Sequence, residues 1–285
     1  MAKPDSPERG LVERLRRFVG AWQPFTGAGL AAFGDTSISR LLTFQLIAAV
    51  GIAVLVVGAL RLTWVPVIER SLPNLPESAP LQAGRLLWPD TEARRLAENA
   101  WLAVVVRPST NSAPDDPGQT ADLQLELQPT GFRIEGIFGH VDRPYPRPLN
   151  ADLGRIPATA AWNAWRRPAA AMLGLGFTLF LMVSWWGLAT AYAPFAWAFA
   201  HLCHRPLSLA AAWKISAAAL FVGAAVGAAG FAGYATGAIR LPGVLVTQAL
   251  HVPIGWIWLI WGLLSSTSTP RPARSKASNP FAGSN

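Results

Sequence analysis

The stretch that decides the fold is "LLTFQLIAAVGIAVLVVGAL", residues 41–60, which is a run of 20 residues without a charge. As an α-helix, a run of this length extends about 30 Å, the thickness of the hydrocarbon core of a bilayer. It starts too late and is too long for a cleaved signal peptide, whose apolar region is about 7–15 residues. We therefore predict a first transmembrane helix over residues 41–62 that stays in the mature protein.

Three more apolar stretches follow in the second half of the chain. They predict transmembrane helices over residues 169–192, 215–239 and 244–264. Because Pro194 follows the first of these, residues 193–214 are interpreted as an interfacial and cytoplasmic loop. The last two helices are joined by Arg240, Leu241, Pro242 and Gly243, a sequence that favours a tight helical hairpin.

Composition and charge agree with a membrane protein. The 285 residues are 52% hydrophobic and 14% charged, whereas soluble domains carry roughly 25% charged residues. All 16 acidic residues lie in residues 1–40 or 69–167, so the net charge of +8 reflects basic membrane flanks and not a nucleic-acid surface. Four spans would leave eleven Lys and Arg near the membrane on the side of both termini and five on the side of residues 69–167. Because such residues are enriched on the cytoplasmic side, both termini are predicted to be cytoplasmic, although the pair Arg166 and Arg167 favours the opposite orientation.

Residues 69–167 carry 11 Arg and 12 acids, which indicates a water-exposed extracytoplasmic domain between the first two spans. Its sequence predicts a β-rich domain of about four strands with one face to bury. The candidate strands are "GRLLW" (84–88), "WLAVVVR" (101–107), "ADLQLELQ" (121–128) and "GFRIEGIF" (131–138). The last two are separated by Pro129, Thr130 and Gly131, which predict a hairpin turn.

Three other segments have a distinct composition. "DTEARRLAENA", residues 90–100, is predicted to form a short helix capped by Asp90 or Thr91. Residues 109–120, which include "NSAPDDPGQT", are predicted to be the most mobile part of the domain. Within the N-terminal segment 1–40, residues 9–19 predict a basic amphipathic helix on an anionic leaflet or a solvated helix, and residues 265–285 predict a disordered cytoplasmic tail.

No motif for catalysis or cofactor binding is present. The chain lacks a phosphate-binding loop, a His-Glu-x-x-His helix and a Gly-x-Ser-x-Gly elbow, and its last three spans contain no carboxylate. This argues against ion-coupled transport through acidic residues and against intramembrane aspartyl proteolysis. "HLCHR", residues 201–205, contains His201, Cys203 and His204, but without a second cluster we interpret it as an interfacial loop and predict no metal site. The protein is therefore not expected to be an enzyme, and the lone Cys203 excludes an intrachain disulfide.

The fourth span carries polar residues on one flank. Thr247, Gln248 and His251 share a face by helical spacing, and Tyr234 on the third span is placed to donate a hydrogen bond to His251. An ionisable residue at this depth suggests a proton relay or a catalytic site, but neutral His, Gln and Thr also join helices by hydrogen bonds. We favour the second interpretation. The third span offers small residues at helical spacing for close packing: Gly223, Gly227, Gly230 and Gly237.

The predicted layout is one span, then an exported β-rich domain with a "G-x-L" strand near its start, then three spans with the loop "RPLSLAAAWKISAAAL" (205–220). This layout resembles the bacterial DUF1189 family of integral membrane proteins. That family is related to the Yip1-type group of four- or five-span proteins. The resemblance covers most of residues 36–265 and carries no catalytic motif. It implies a multi-span envelope protein that is an accessory to sugar uptake or to membrane organisation.

The sequence thus predicts a mainly α membrane protein of the bacterial cytoplasmic (inner) membrane: a four-transmembrane-helix bundle with a small β-rich (α+β) domain inserted between helices 1 and 2. Two functions remain open. The first is a non-enzymatic scaffold or accessory protein of the cell envelope, whose partners are the lipid bilayer and another membrane or envelope protein. The alternative is a small-solute transporter in which Tyr234, Gln248 and His251 line a polar path.

Overall fold

The computed structural model describes residues 24–108, 121–148, 150–205 and 207–265. The basic helix predicted over 9–19, the segment 109–120 and the tail beyond residue 265 lie outside this part of the chain. Its helices are α1 (Gly27–Ala32), α2 (Ile38–Thr63), α3 (Val65–Ser71), α4 (Arg155–Leu202), α5 (Leu209–Ala235) and α6 (Leu241–Ser265). Its strands are β1 (Pro80–Gln82), β2 (Arg85–Leu86), β3 (Arg94–Glu98), β4 (Leu102–Val106), β5 (Leu123–Gln128), β6 (Gly131–Gly136), β7 (Gly139–Pro144) and β8 (Ala151–Asp152).

Four helical segments of the described chain are long and apolar enough to cross a membrane: α2 with the short helices that follow it, α4, α5 and α6. They correspond to the four stretches that the sequence singled out. Together with small sheets between α3 and α4, they give a mainly helical fold that is compatible with the membrane protein predicted from composition.

The helix ends differ from the predicted spans. α4 has 48 residues and continues through Pro168 and Pro194, so residues 193–202 and 209–214 are helical, and α5 begins seven residues after α4 ends at Leu202. Its early start reflects alanine-rich sequence after Arg155, which favours helix. α5 ends at Ala235, before the predicted residue 239, because the chain turns at Gly237 with φ +75°. A glycine adopts this left-handed conformation without steric cost.

The chain divides into two compact units. The first comprises residues 24–43, 184–223 and 253–265 of the described chain. Its core contains large buried side chains that include Phe33, Trp185 and Leu259. Side-chain donors on its helices bond backbone carbonyls elsewhere in the unit. Lys214 Nζ donates to Thr36 O at 2.8 Å, Arg205 Nη1 donates to Leu263 O at 2.7 Å, and Trp258 Nε1 donates to Pro24 O at 2.8 Å.

The second unit comprises residues 44–183 and 224–252 and contains both sheets. A three-stranded sheet has the order β2-β1-β8, and a five-stranded sheet has the order β3-β4-β5-β6-β7. All neighbours are antiparallel except β4 and β5, which are parallel. The predicted hairpin between β5 and β6 is confirmed, because Gln128 pairs with Gly131 across a two-residue turn. The larger sheet has more strands than predicted.

One face of the five-stranded sheet is apolar and packs on α3. Its core consists of Val67 from α3 with buried residues of β3 and β4: Leu96, Leu102, Val104 and Val106. The short helix predicted over residues 90–100 is wrong, since residues 94–98 form β3 and pair with β4. Helix formers such as Arg, Leu and Ala adopt a strand here because burial of Leu96 and pairing with β4 outweigh intrinsic propensity.

The opposite face of this sheet is polar. Glu126 is 1% exposed and its Oε1 lies 2.7 Å from Arg107 Nε. On the exposed part of the face, Arg133 Nε lies 2.7 Å from Asp142 Oδ1, and this contact lowers the pKa of the Asp142 carboxyl below its ordinary value. The polar face is therefore organised by ion pairs, while the apolar face holds the core.

Asp152 closes the domain next to the start of α4. Its Oδ1 accepts hydrogen bonds from Ala79 N and Gly154 N, both at 2.7 Å, and its Oδ2 accepts one from Ser78 Oγ at 3.0 Å. These donors stabilise the ionised carboxyl, so the pKa of Asp152 lies below its ordinary value. The first and last segments of the domain are thereby joined at neutral pH.

Candidate functional site

Two of the polar residues predicted on α6 pack directly against α5. Gln248 Nε2 donates to Gly227 O at 3.1 Å, and a Cβ at Gly227 would lie only 3.0 Å from the amide atoms of Gln248. Thr247 donates to Val244 O at 2.7 Å within its own helix and lies against Gly230, where an added methyl group would overlap the Thr247 hydroxyl. These side chains occupy a close helix-helix contact.

His251 lies one turn further along α6. It is half-buried, and its Nδ1 is 3.4 Å from Gln248 O, a weak contact within one helix. The prediction that Tyr234 donates a hydrogen bond to His251 is wrong. The Tyr234 hydroxyl is buried beside the indole of Trp64 and meets no hydrogen-bond partner of acceptable geometry among the described residues. The four predicted polar residues therefore do not form one connected network.

The glycines of the predicted strip have different surroundings. Gly227 and Gly230 lie under α6, as described above, and Gly223 is a buried residue of α5. Gly237 lies beyond the end of α5, in the turn before α6, where a Cβ would be 3.6 Å from Trp101. α5 and α6 thus approach closely at Gly227 and Gly230, while Gly237 lies in the turn that joins them.

A contact that sequence reasoning missed lies at this turn. Trp101, in the loop between β3 and β4, donates from Nε1 to Tyr234 O at 3.1 Å, and its ring meets the Tyr234 ring edge-on at a centroid distance of 6.3 Å. The Tyr234 carbonyl belongs to the last turn of α5 and also accepts a hydrogen bond from Gly237 N at 3.1 Å, in the turn that follows the helix. The indole therefore binds the C-terminal end of α5 at a carbonyl that it shares with the turn.

The same loop binds the end of α2. Asn99 Nδ2 donates to Thr63 O, the last carbonyl of α2, at 2.6 Å. Its Oδ1 accepts from Trp101 N and Leu102 N, both at 2.9 Å, which fixes the loop as an Asx-type turn. One side chain thus shapes the loop and joins it to a helix terminus.

The start of α6 is bound in a complementary way. Asp122 Oδ2 accepts from Leu241 N, the first residue of α6, at 3.2 Å. A carboxylate at this position satisfies an open helix donor and interacts favourably with the helix dipole. Arg240 Nη1 donates to Ala100 O at 2.7 Å. We name Asn99, Ala100, Trp101 and Asp122 the docking cluster, because these residues join the sheet to the ends of α2, α5 and α6.

The remaining long helix contacts the domain through α3. Glu69 Oε1 lies 3.3 Å from Arg166 Nη1 and 3.5 Å from Trp162 Nε1, both on α4. α3 is itself bonded to β3, since Asn74, just beyond it, donates to Leu96 O at 2.7 Å. Helical or strand periodicity in the sequence does not predict the contacts of the docking cluster, because their partners are up to 140 residues apart in sequence.

The metal-type residues of "HLCHR" do not form a ligand set. His201 Nδ1 lies 2.9 Å from Trp197 O in its own helix, and Cys203 is half-buried. His204 has φ +55°, the left-handed conformation common just beyond a helix end. In the part of the chain that the structure describes, no three His, Cys, Asp or Glu side chains are grouped to hold a metal ion.

Chemically, the docking cluster provides hydrogen bonds to helix termini and contains no nucleophile paired with a base. It is suited to holding a domain in a fixed position. Comparisons of the chain with protein-family models, with curated proteins and with solved structures found no match.

Proposed function

We propose that this chain is a multi-span protein of the bacterial cytoplasmic (inner) membrane that acts as a non-enzymatic scaffold or accessory protein. Its sheet domain lies outside the cytoplasm and binds another membrane or envelope protein, and both termini are cytoplasmic. The docking cluster carries this proposal, since it couples the sheet to three helix termini and gives a bound partner a fixed position on the helices. The excess of Lys and Arg on the flanks supports the orientation.

The edge of the five-stranded sheet supports a binding role. All six residues of β7 are exposed, and no described strand pairs with its outer edge. Open edges accept a strand from a partner through backbone hydrogen bonds. The charges of Asp142 and Arg143 on β7 reduce non-specific pairing, which is how native proteins protect such an edge.

The test is purification of the tagged protein from its native membranes in mild detergent. We expect a partner to remain bound to the wild type and to be lost with Arg143→Glu, which reverses a charge on the exposed edge strand. Arg85→Glu is the matched control, because Arg85 is an exposed residue on the edge of the smaller sheet. Mass spectrometry of the eluates measures retention. A wild-type eluate without an associated protein would contradict the proposal.

The transporter alternative makes a different prediction for His251→Ala. Since the contact of His251 with Gln248 O is a weak one within α6, we expect this substitution to lower the free energy of unfolding by less than about 1 kcal/mol. Osmotic swelling of proteoliposomes in glycerol and in glucose should be the same for wild type, variant and protein-free vesicles. Solute flux that is present in the wild type and lost in an intact His251→Ala variant would favour the transporter.

A further inference from the structure

The turn between β6 and β7 has an unusual composition. Gly136 pairs with Gly139, so Ile137 and Phe138 form the tip of the hairpin. Phe138 is 84% exposed and Ile137 is 46% exposed. Hairpin turns in water are dominated by Gly, Pro, Asn, Asp and Ser. Two large apolar side chains at an exposed tip indicate an environment other than bulk water.

The register of the sheet locates this tip. Leu123, the first residue of β5, pairs with Gly136, the last residue of β6, and Leu123 N donates to Trp101 O at 3.1 Å. The tip therefore lies at the same end of the sheet as the docking cluster. Neighbouring strands are about 4.8 Å apart, and three such spacings separate the β6–β7 tip from the β3–β4 loop that holds Trp101, so the two lie roughly 14 Å apart across the sheet.

That end of the sheet lies level with the ends of the apolar helices. Leu62 is 69% exposed and immediately precedes Thr63, whose carbonyl is bound by Asn99. Trp64 and Trp101 lie at the same level, and tryptophan is enriched where a membrane protein meets the bilayer interface. If the helices cross a bilayer, the lipid headgroups reach this end of the sheet.

We propose that Ile137 and Phe138 insert into the bilayer interface, so that the sheet domain contacts lipid through the hairpin tip as well as the helices through the docking cluster. The occupant of this apolar tip is the lipid surface, because the tip lies at the end of the sheet that contacts the end of α2 and the start of α6. This inference rests on the proposed membrane placement of the helices, and its test separates the two.

The test uses a nitroxide spin label on single cysteines, which the lone native Cys203 makes simple. In a Cys203→Ser background, the label is placed at Phe138→Cys, and the protein is reconstituted in phosphatidylcholine vesicles containing phosphatidylglycerol. Collision with oxygen, which concentrates in lipid, is compared with collision with a water-soluble nickel chelate. Val54→Cys, at a 67% exposed position within α2, is the control for the span. Leu87→Cys is the control for water, because Leu87 is 51% exposed and lies next to Leu86, whose N–H bonds Pro129 O at the opposite end of the sheet.

We expect the ratio of oxygen to nickel collisions at Phe138 to exceed that at Leu87 several-fold and to stay below that at Val54. A ratio at Phe138 equal to that at Leu87 would overturn the inference. A label at Phe138 that is immobilised and shielded from both reagents would also overturn it, because a protein surface would then cover the tip. A water-like ratio at Val54 would instead contradict the membrane placement itself. Ile137→Cys provides an independent second reading of the tip.

Discussion

Replacing Trp101 by alanine should lower the free energy of unfolding by about 2–4 kcal/mol, the largest effect we expect from a single substitution outside the buried cores. The change removes the hydrogen bond to Tyr234 O and the edge-on ring contact at the end of α5. It also leaves Gly237 without the indole that lies against it. The sheet domain should then separate from the helices before they unfold, and near-ultraviolet circular dichroism in detergent would record two transitions.

Two further variants locate the cause of this loss. Trp101→Phe keeps an aromatic ring but removes the N–H donor, and it should cost about 1 kcal/mol. Trp165→Ala is the control for loss of a tryptophan, since Trp165 is 62% exposed on α4. Equal destabilisation by Trp101→Ala and Trp165→Ala would show that the docking contact contributes nothing specific.

Gly230→Ala should destabilise the protein by about 1–3 kcal/mol, because the new methyl group overlaps the Thr247 hydroxyl and forces α5 and α6 apart. Gly176→Ala is the matched control. Gly176 lies in α4 with no atom within 4 Å of the added methyl, so the substitution should be neutral or stabilise by up to about 1 kcal/mol. Thermal unfolding in detergent measures both.

A second substitution tests whether the overlap is the reason. Thr247→Ala removes the hydroxyl nearest to the new methyl, so the double variant Gly230→Ala/Thr247→Ala should recover part of the loss. The difference between the double variant and the sum of the two single variants measures this coupling. Strict additivity would place the cause of the destabilisation elsewhere.

The sequence allowed prediction of the elements whose signal is local. Twenty uncharged residues before Arg61 define α2, and alternating leucines followed by Pro129 and Thr130 define the β5–β6 hairpin. The composition of residues 94–98 favours a helix, and the strand with which they pair lies outside this segment, so the local sequence wrongly predicts a helix where β3 forms. The docking cluster was missed for a similar reason: Asp122 caps α6 from a position that no periodicity connects to Leu241.

The candidate site was predicted in part. Residues 247 and 248 face the glycines of α5 because helical spacing determines which residues share a face. Helical spacing does not determine which partner a side chain selects. Tyr234 packs on Trp101, a residue contributed by the sheet domain, and its hydroxyl therefore does not bind His251. Prediction of that choice requires the position of the domain, which only the folded structure provides.

The parallel pairing of β4 with β5 has a consequence for how the domain assembles. The antiparallel neighbours β3–β4, β5–β6 and β6–β7 are connected by only a few residues, whereas β4 ends at Val106 and its parallel neighbour β5 begins at Leu123. Because closing a short loop costs less entropy, we expect the antiparallel pairs to form before β4 pairs with β5. We therefore expect this sheet to form as two halves, β3–β4 and β5–β6–β7, which pair with each other last.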